Sequence, residues 1–173
     1  MIVTMKGKNM PYPMTHLIIA KNIAGVFEKD IKNLPDYYSG SLAPDAVHNR
    51  TNFTYDYKKK SHLFVGMEEW GFMTNHDECT ENAIAFFITN RKSKNHDFIL
   101  GYCVHILSDI YNHLTVFTPF VKKYHDEIEK TPNLFTQENS KLDIELALTY
   151  KGREEFWLTR TQELKIGLLL ILC

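Results

Sequence analysis

FILGYCVHILSDIYNHL, residues 98–114, is the stretch that decides the fold. Phe98, Ile99, Leu100, Val104, Ile106, Leu107 and Ile110 set apolar side chains nearly all round a helix, so the segment reads as a buried one. Within it His105 and Asp109 stand four residues apart, one above the other on one helical face. Burying two ionisable groups is costly unless they are hydrogen-bonded, paired or bound to metal. Two explanations suit the pair equally: a hydrogen bond inside the core, or an imidazole and a carboxylate gripping one ion.

Helix signals continue on both sides. Thr15 is placed to cap a helix over residues 16–32, with Met14 and Phe27 in the core. Residues 33–63 carry Pro35, Gly40, Pro44 and many polar and tyrosine residues, and read as a long ordered loop with short helical turns. A loop of that length needs a function or an internal tie. Thr80-Glu81-Asn82 opens a helix through residues 83–92, broken at 93–96 before the decisive helix. Thr118-Pro119 reads as a fresh helix start and Thr131-Pro132 as its end. Thr136 with Asn139 and Ser140 opens a further helix, stopped at Gly152, and a last helix runs from Glu154. No strand alternation survives counting, so the expected class is all-α, one helical domain over residues 1–173 with a C-terminus that looks cut short.

Composition narrows the partners. Apolar residues are 44% of 173, enough for a sizeable core, and 20 basic against 21 acidic residues leave no footprint for duplex nucleic acid or an anionic membrane. Cys79, Cys103 and Cys173 have no CxxC spacing and read as reduced thiols of an intracellular protein. The opening MIVTMKGKNMPYP does not look like a secretory leader, and the apolar IGLLLILC at 166–173 is too short to cross a bilayer, so a cytoplasmic protein with no transmembrane segment is expected.

Three of the eight histidines sit where pattern alone would not put a polar group: His16 opening the first apolar helix, His62 before Leu-Phe-Val, and His105. With Asp45 and Asp109 they offer three imidazoles and two carboxylates from four segments, a mix suited to zinc rather than calcium. His48 reads as a neighbour supporting Asp45 or as a surface residue. His76 and His96 stand beside helix starts, where turn and capping roles are the default. Lys58-Lys59-Lys60 reads as a solvated run, with a phosphate-site border as the sharper alternative. Tyr37, Tyr38, Tyr55, Tyr57 and Trp70 either wall a groove or pack on the domain.

MTH at 14–16, GSLAPDAVH at 40–48, SH at 61–62 and GYCVHILSD at 101–109, in this order and spacing, resemble the zinc-dependent phospholipase C family, whose all-α fold is shared with fungal single-strand-specific nucleases. The resemblance covers roughly residues 10 to 115. It implies that Asp45, His62, His105 and Asp109 surround one zinc, and that Asp109 bridges to a second zinc held by His16. A carboxylate has two oxygens and can join two ions in this way. Secreted members of the family add their free N-terminal amine as a ligand. Fifteen residues precede His16 here, and a start at Met10 would place the amine of Pro11 at a comparable distance. The third zinc of the family would fall to His113, His125 and Glu129, of which His125 lies in a charged run that suits a surface.

The resemblance implies a metal-dependent phosphoesterase, in which Asp45 orients a zinc-activated water that attacks a phosphodiester or phosphomonoester of a small molecule or lipid. A catalytically inactive, metal-stabilised helical binding domain is the alternative. A His-Asp phosphohydrolase is a third reading, with its HD pairs at 76–77, 96–97 and 125–126 all outside the buried helix.

Overall fold

The computed structural model describes residues 12–64, 73 and 75–156, and is all-α, with no strand among the described residues. In chain order the helices are α1 (Pro13–Val26), α2 (Leu34–Leu42), a 3-10 helix (Ala43–Asn49), α3 (Tyr55–Ser61), α4 (His76–Asn90), α5 (His96–Asn112), a π-helical stretch (His113–Phe117), α6 (Thr118–Lys123), α7 (His125–Lys130) and α8 (Leu134–Thr149).

Helix α5 is the axle. It packs against α2 most extensively and also touches α1 and α4. Val104 joins a core of Met14, Leu17, Ala20, Tyr37 and Tyr38, while Ile106 and Ile110 join a second core with Cys79 and Ala83. His105 and Asp109 therefore lie on the seam between two apolar clusters. Cys79 and Cys103 are buried free thiols, as expected, and Cys173 lies outside the described residues. The burial is not complete all round: Leu107 and Tyr111 are exposed and face a broad apolar cleft of about 830 Å³ that Ile19, Ile23 and Phe27 also line. Phe27, expected in the core, is half exposed there, whereas Met14 is buried.

Two glycines set how closely α2 and α5 approach. A Cβ on Gly40 would stand 2.0 Å from the Phe98 carbonyl oxygen, and one on Gly101 would stand 1.9 Å from that of Tyr37. Backbone rests on backbone at both points, and any side chain would force the helices apart. Asp97, at the start of α5, accepts from the backbone N–H groups of Lys32 and Asn33 at 3.0 and 2.6 Å, which fixes the entry to α2. The HD pair at 96–97 thus serves a helix start.

Several element boundaries differ from those expected. Helix α1 starts at Pro13, with proline in its first turn, and ends at Val26 rather than near residue 32. Thr15 is not its cap; its N–H donates at 3.1 Å to Asp143 of α8, a carboxylate that supplies the cap from another helix. The supposed loop 33–63 is largely helical, because its prolines sit at first-turn positions, where a missing N–H costs nothing. Helix α4 starts at His76, capped by Asn75, whose side chain accepts from the Glu78 N–H. Helix α6 does begin at Thr118 with Pro119 in its first turn, but Thr118 is itself helical and caps nothing: the chain runs from α5 through the π-helical stretch into α6. The wider π turn relieves the clash of the proline ring with the preceding turn. Helix α8 opens at Leu134, ahead of the expected Thr136, and Gly152 follows its end at a φ of 97°. Beyond Phe156 the expected last helix lies outside the described residues, as do Trp70 and the segment 166–173.

Candidate metal centre

The five predicted site residues arrive from four separate helical segments. His16 stands in the second turn of α1, pinned by the Asp143 cap. Asp45 leaves the 3-10 helix after Pro44, carried there by α2. His62 closes α3, and His105 and Asp109 project from one face of α5. His16, His62, His105 and Asp109 are each 2% exposed or less.

The hydrogen bonds behind the imidazoles decide which ring nitrogen faces inward. Nδ1 of His105 lies 2.7 Å from the Ser41 carbonyl oxygen, and Nδ1 of His62 lies 3.1 Å from that of Lys58. A carbonyl can only accept, so both rings carry their proton on Nδ1. Ser108 donates its hydroxyl hydrogen to the His105 carbonyl at 2.7 Å, leaving its oxygen to accept from Nδ1 of His16 at 3.1 Å. All three rings thus turn an unprotonated Nε2 toward Asp109.

There the distances are short. Nε2 of His62 lies 3.3 Å and Nε2 of His105 lies 3.5 Å from Oδ2 of Asp109, and the two nitrogens are 3.2 Å apart. Nε2 of His16 lies 3.4 Å from the other oxygen, Oδ1. Oδ1 of Asp45 completes the group, 3.6 Å from Nε2 of His62. These atoms are all acceptors, so their approaches are not hydrogen bonds. Nε2 of His16 and both oxygens of Asp109 are buried with no hydrogen-bond partner among the described residues. Buried lone pairs that converge without a proton between them call for a cation. Four-coordinate zinc with bonds of about 2.0–2.1 Å has ligand–ligand edges of about 3.3–3.4 Å. The triangle of His62, His105 and Asp109 has that size.

The protonation states agree. Burial, reinforced by the His105 ring, pushes His16 down to about 3, and burial pushes His62 down to about 4, so both are neutral near pH 7. Burial raises the Asp109 carboxyl, and only positive charge on His105 or hydrogen bonds donated by His105 and His62 would hold it below the usual carboxylate range. Asp45 is held down by His48 and Lys58 against its own burial. Neutral imidazoles and ionised carboxylates are the forms that bind metal.

This convergence gives meaning to the match of the zinc dependent phospholipase C family model, which spans residues 15–163. The chain belongs to that family. No curated protein and no solved structure matches it significantly. For a family member the all-α architecture is as expected.

Other residues fall outside the cluster or were misjudged from sequence. Among the described residues two groups of side chains are close enough to share an ion, His16 with His105 and Asp109, and Asp45 with His62 and His105; His125 and Glu129, exposed on α7 and 4.0 Å apart, belong to neither. His113 is buried, but its ring meets His76 at 3.0 Å and accepts from the Met73 N–H at 3.3 Å. His76 is therefore a packing partner of His113 rather than a cap. His48 does stand beside Asp45, with Nε2 3.5 Å from Oδ1. Tyr37 and Tyr38 pack inward, their hydroxyls on the Ala20 carbonyl and on Glu155, and wall no groove.

The main omission is Lys58. Expected in solvent, it is 2% exposed, and its Nζ contacts Oδ1 of Asp45. The signal was its spacing, four residues before His62 and so on the same face of α3. Gly40 and Gly101 were read only as members of their motifs, although the close backbone approach of α2 to α5 that they allow is what brings the Ser41 carbonyl to His105.

Proposed function

We propose that this chain is a zinc-dependent phosphoric ester hydrolase. In this reading His62, His105 and Asp109, with Asp45, would hold one ion, and His16 with Asp109 would hold a second. The observation that carries it is the cluster of buried acceptors with zinc-sized edges, in which Asp45 is the most exposed member. Zinc at such a site supplies Lewis acidity and makes a water acidic enough to attack phosphorus near neutral pH. The chain's own residues do the rest. Asp45, the most exposed of the five, stands where substrate enters and orients the attacking water. Ser41, Lys58 and Ser108 keep the three rings in one tautomer, which keeps the Nε2 lone pairs aimed inward.

The substrate is a phosphodiester or phosphomonoester, either a small molecule or a lipid. No helix among the described residues is long and apolar enough to cross a membrane. A reducing, cytoplasmic setting suits the two buried free thiols. Testing begins with metal content by plasma mass spectrometry on untagged protein. Hydrolysis follows, with bis(4-nitrophenyl) phosphate, 4-nitrophenyl phosphate and phosphatidylcholine vesicles as substrates. Two zinc equivalents with metal-dependent turnover of any of them would support the reading; absence of stoichiometric metal after reconstitution would end it.

One observation favours the alternative of a metal-stabilised binding domain without catalysis: the Lys58 ammonium sits on the residue assigned to orient water. Full zinc loading without turnover of any of the three substrates would select it.

A further inference from the structure

Lys58 touches the oxygen of Asp45 that faces His62. An ion resting on Nε2 of His62 can reach Asp45 through the oxygen that already carries the ammonium. Two cations on one carboxylate oxygen repel each other. Nor can Lys58 step aside at no cost, since its side chain is 3% exposed and a buried ammonium parted from its counter-charge is strongly destabilising. The same residue also accepts from Nδ1 of His62 with its carbonyl, so its backbone orients one ligand while its side chain contests another. In the triangle of His62, His105 and Asp109, by contrast, the Nε2 of each ring and Oδ2 of Asp109 meet at 3.2 to 3.5 Å.

We propose that Lys58 makes Asp45 a labile ligand: ammonium and ion compete for its Oδ1, so the ion rests on His62, His105 and Asp109 and keeps one position open. That position lies on the Asp45 side, where the site is least buried and substrate would arrive. Three firm protein ligands and an exchangeable fourth position are what distinguish catalytic from structural zinc. Lys58 is then a positioning residue acting through Asp45. The proposal rests on the metal-centre reading above, and its test keeps the two apart.

The test is zinc affinity of the full chain, measured by competition with a chromophoric chelator, for the wild type, Lys58→Met, Asp45→Asn and the double variant. With the competitor removed, Lys58→Met should bind zinc roughly 10-fold more tightly. Asp45→Asn should cost less than about 3-fold in the wild type but about 10-fold or more in the Lys58→Met background. Unchanged or weaker zinc affinity in Lys58→Met, or an equal cost of Asp45→Asn in both backgrounds, would overturn the proposal while leaving the metal centre standing. Zinc binding by none of the four proteins would remove both. Should Lys58→Met fail to fold, Lys58→Gln replaces it, and a loss above about 10-fold for Asp45→Asn alone in the wild type is by itself a refutation.

Discussion

Gly101→Ala should do severe damage for a single added methyl group. The new Cβ would lie 1.9 Å from the Tyr37 carbonyl oxygen and 2.9 Å from both the Tyr37 carbonyl carbon and the Ser41 N. All three are backbone atoms of α2, so no side chain can swing away. Ordinary contact begins near 3.4 Å, and α2 must therefore retreat from α5 by about 1.5 Å. The Ser41 carbonyl, now 2.7 Å from Nδ1 of His105, moves with it and leaves hydrogen-bonding range. Overpacking of this kind costs about 1–3 kcal/mol, and a buried ring nitrogen left without its acceptor about 1–3 more. A loss of about 3 kcal/mol or more is expected from urea unfolding of the metal-free protein. Zinc affinity should fall with it, because His105 loses the contact that fixes its tautomer. Gly25→Ala is the control: nothing lies within 4 Å of its Cβ position on the exposed side of α1, so helix propensity alone should make it neutral or more stable by about 0.5–1 kcal/mol. Should Gly101→Ala unfold within about 0.5 kcal/mol of the wild type and bind zinc as tightly, the close approach of α2 and α5 has no part in building the site.

Asp109→Asn removes the charge from the carboxylate that faces all three rings, and should lower zinc content by more than one equivalent per chain in plasma mass spectrometry. His76→Ala and His125→Ala should leave zinc content unchanged, since neither residue reaches the cluster; metal loss in either would redraw the ligand set. Acid should unfold the metal-free protein early. His16 and His62 have folded pKa values of about 3 and about 4 against 6.5 when unfolded, so the unfolded chain takes up protons first. The stability they support is whole above about pH 6.5 and drains away as pH falls toward 4, at roughly 1.4 kcal/mol per pH unit for each ring. Chemical unfolding followed from pH 8 to pH 4 reads this directly, and a flat profile over that range would refute the burial of neutral rings.

The residues of the site were legible before their arrangement was. Helical periodicity around FILGYCVHILSD is a local property, and it placed His105 and Asp109 on one face of one helix without help from the rest of the chain. The unusual settings of His16 and His62 were likewise visible, because a polar residue in an apolar run is conspicuous in one dimension. Element ends were less legible. The cap on α1 is an aspartate from α8, and the proline at 119 is tolerated by a π turn, so neither boundary is decided by neighbours in sequence.

What the sequence determined by itself is the helical class; it also offered a candidate donor set, three imidazoles and two carboxylates from four segments. Only the tertiary structure decided that they meet, with which ring nitrogen inward, and which third parties share the site. Burial of Lys58 depends on α3 folding over the 3-10 helix, and the approach of Ser41 to His105 depends on two glycines, Gly40 against the Phe98 backbone and Gly101 against that of Tyr37 and Ser41. Both are contacts between distant segments, and neither leaves a periodic trace along the chain.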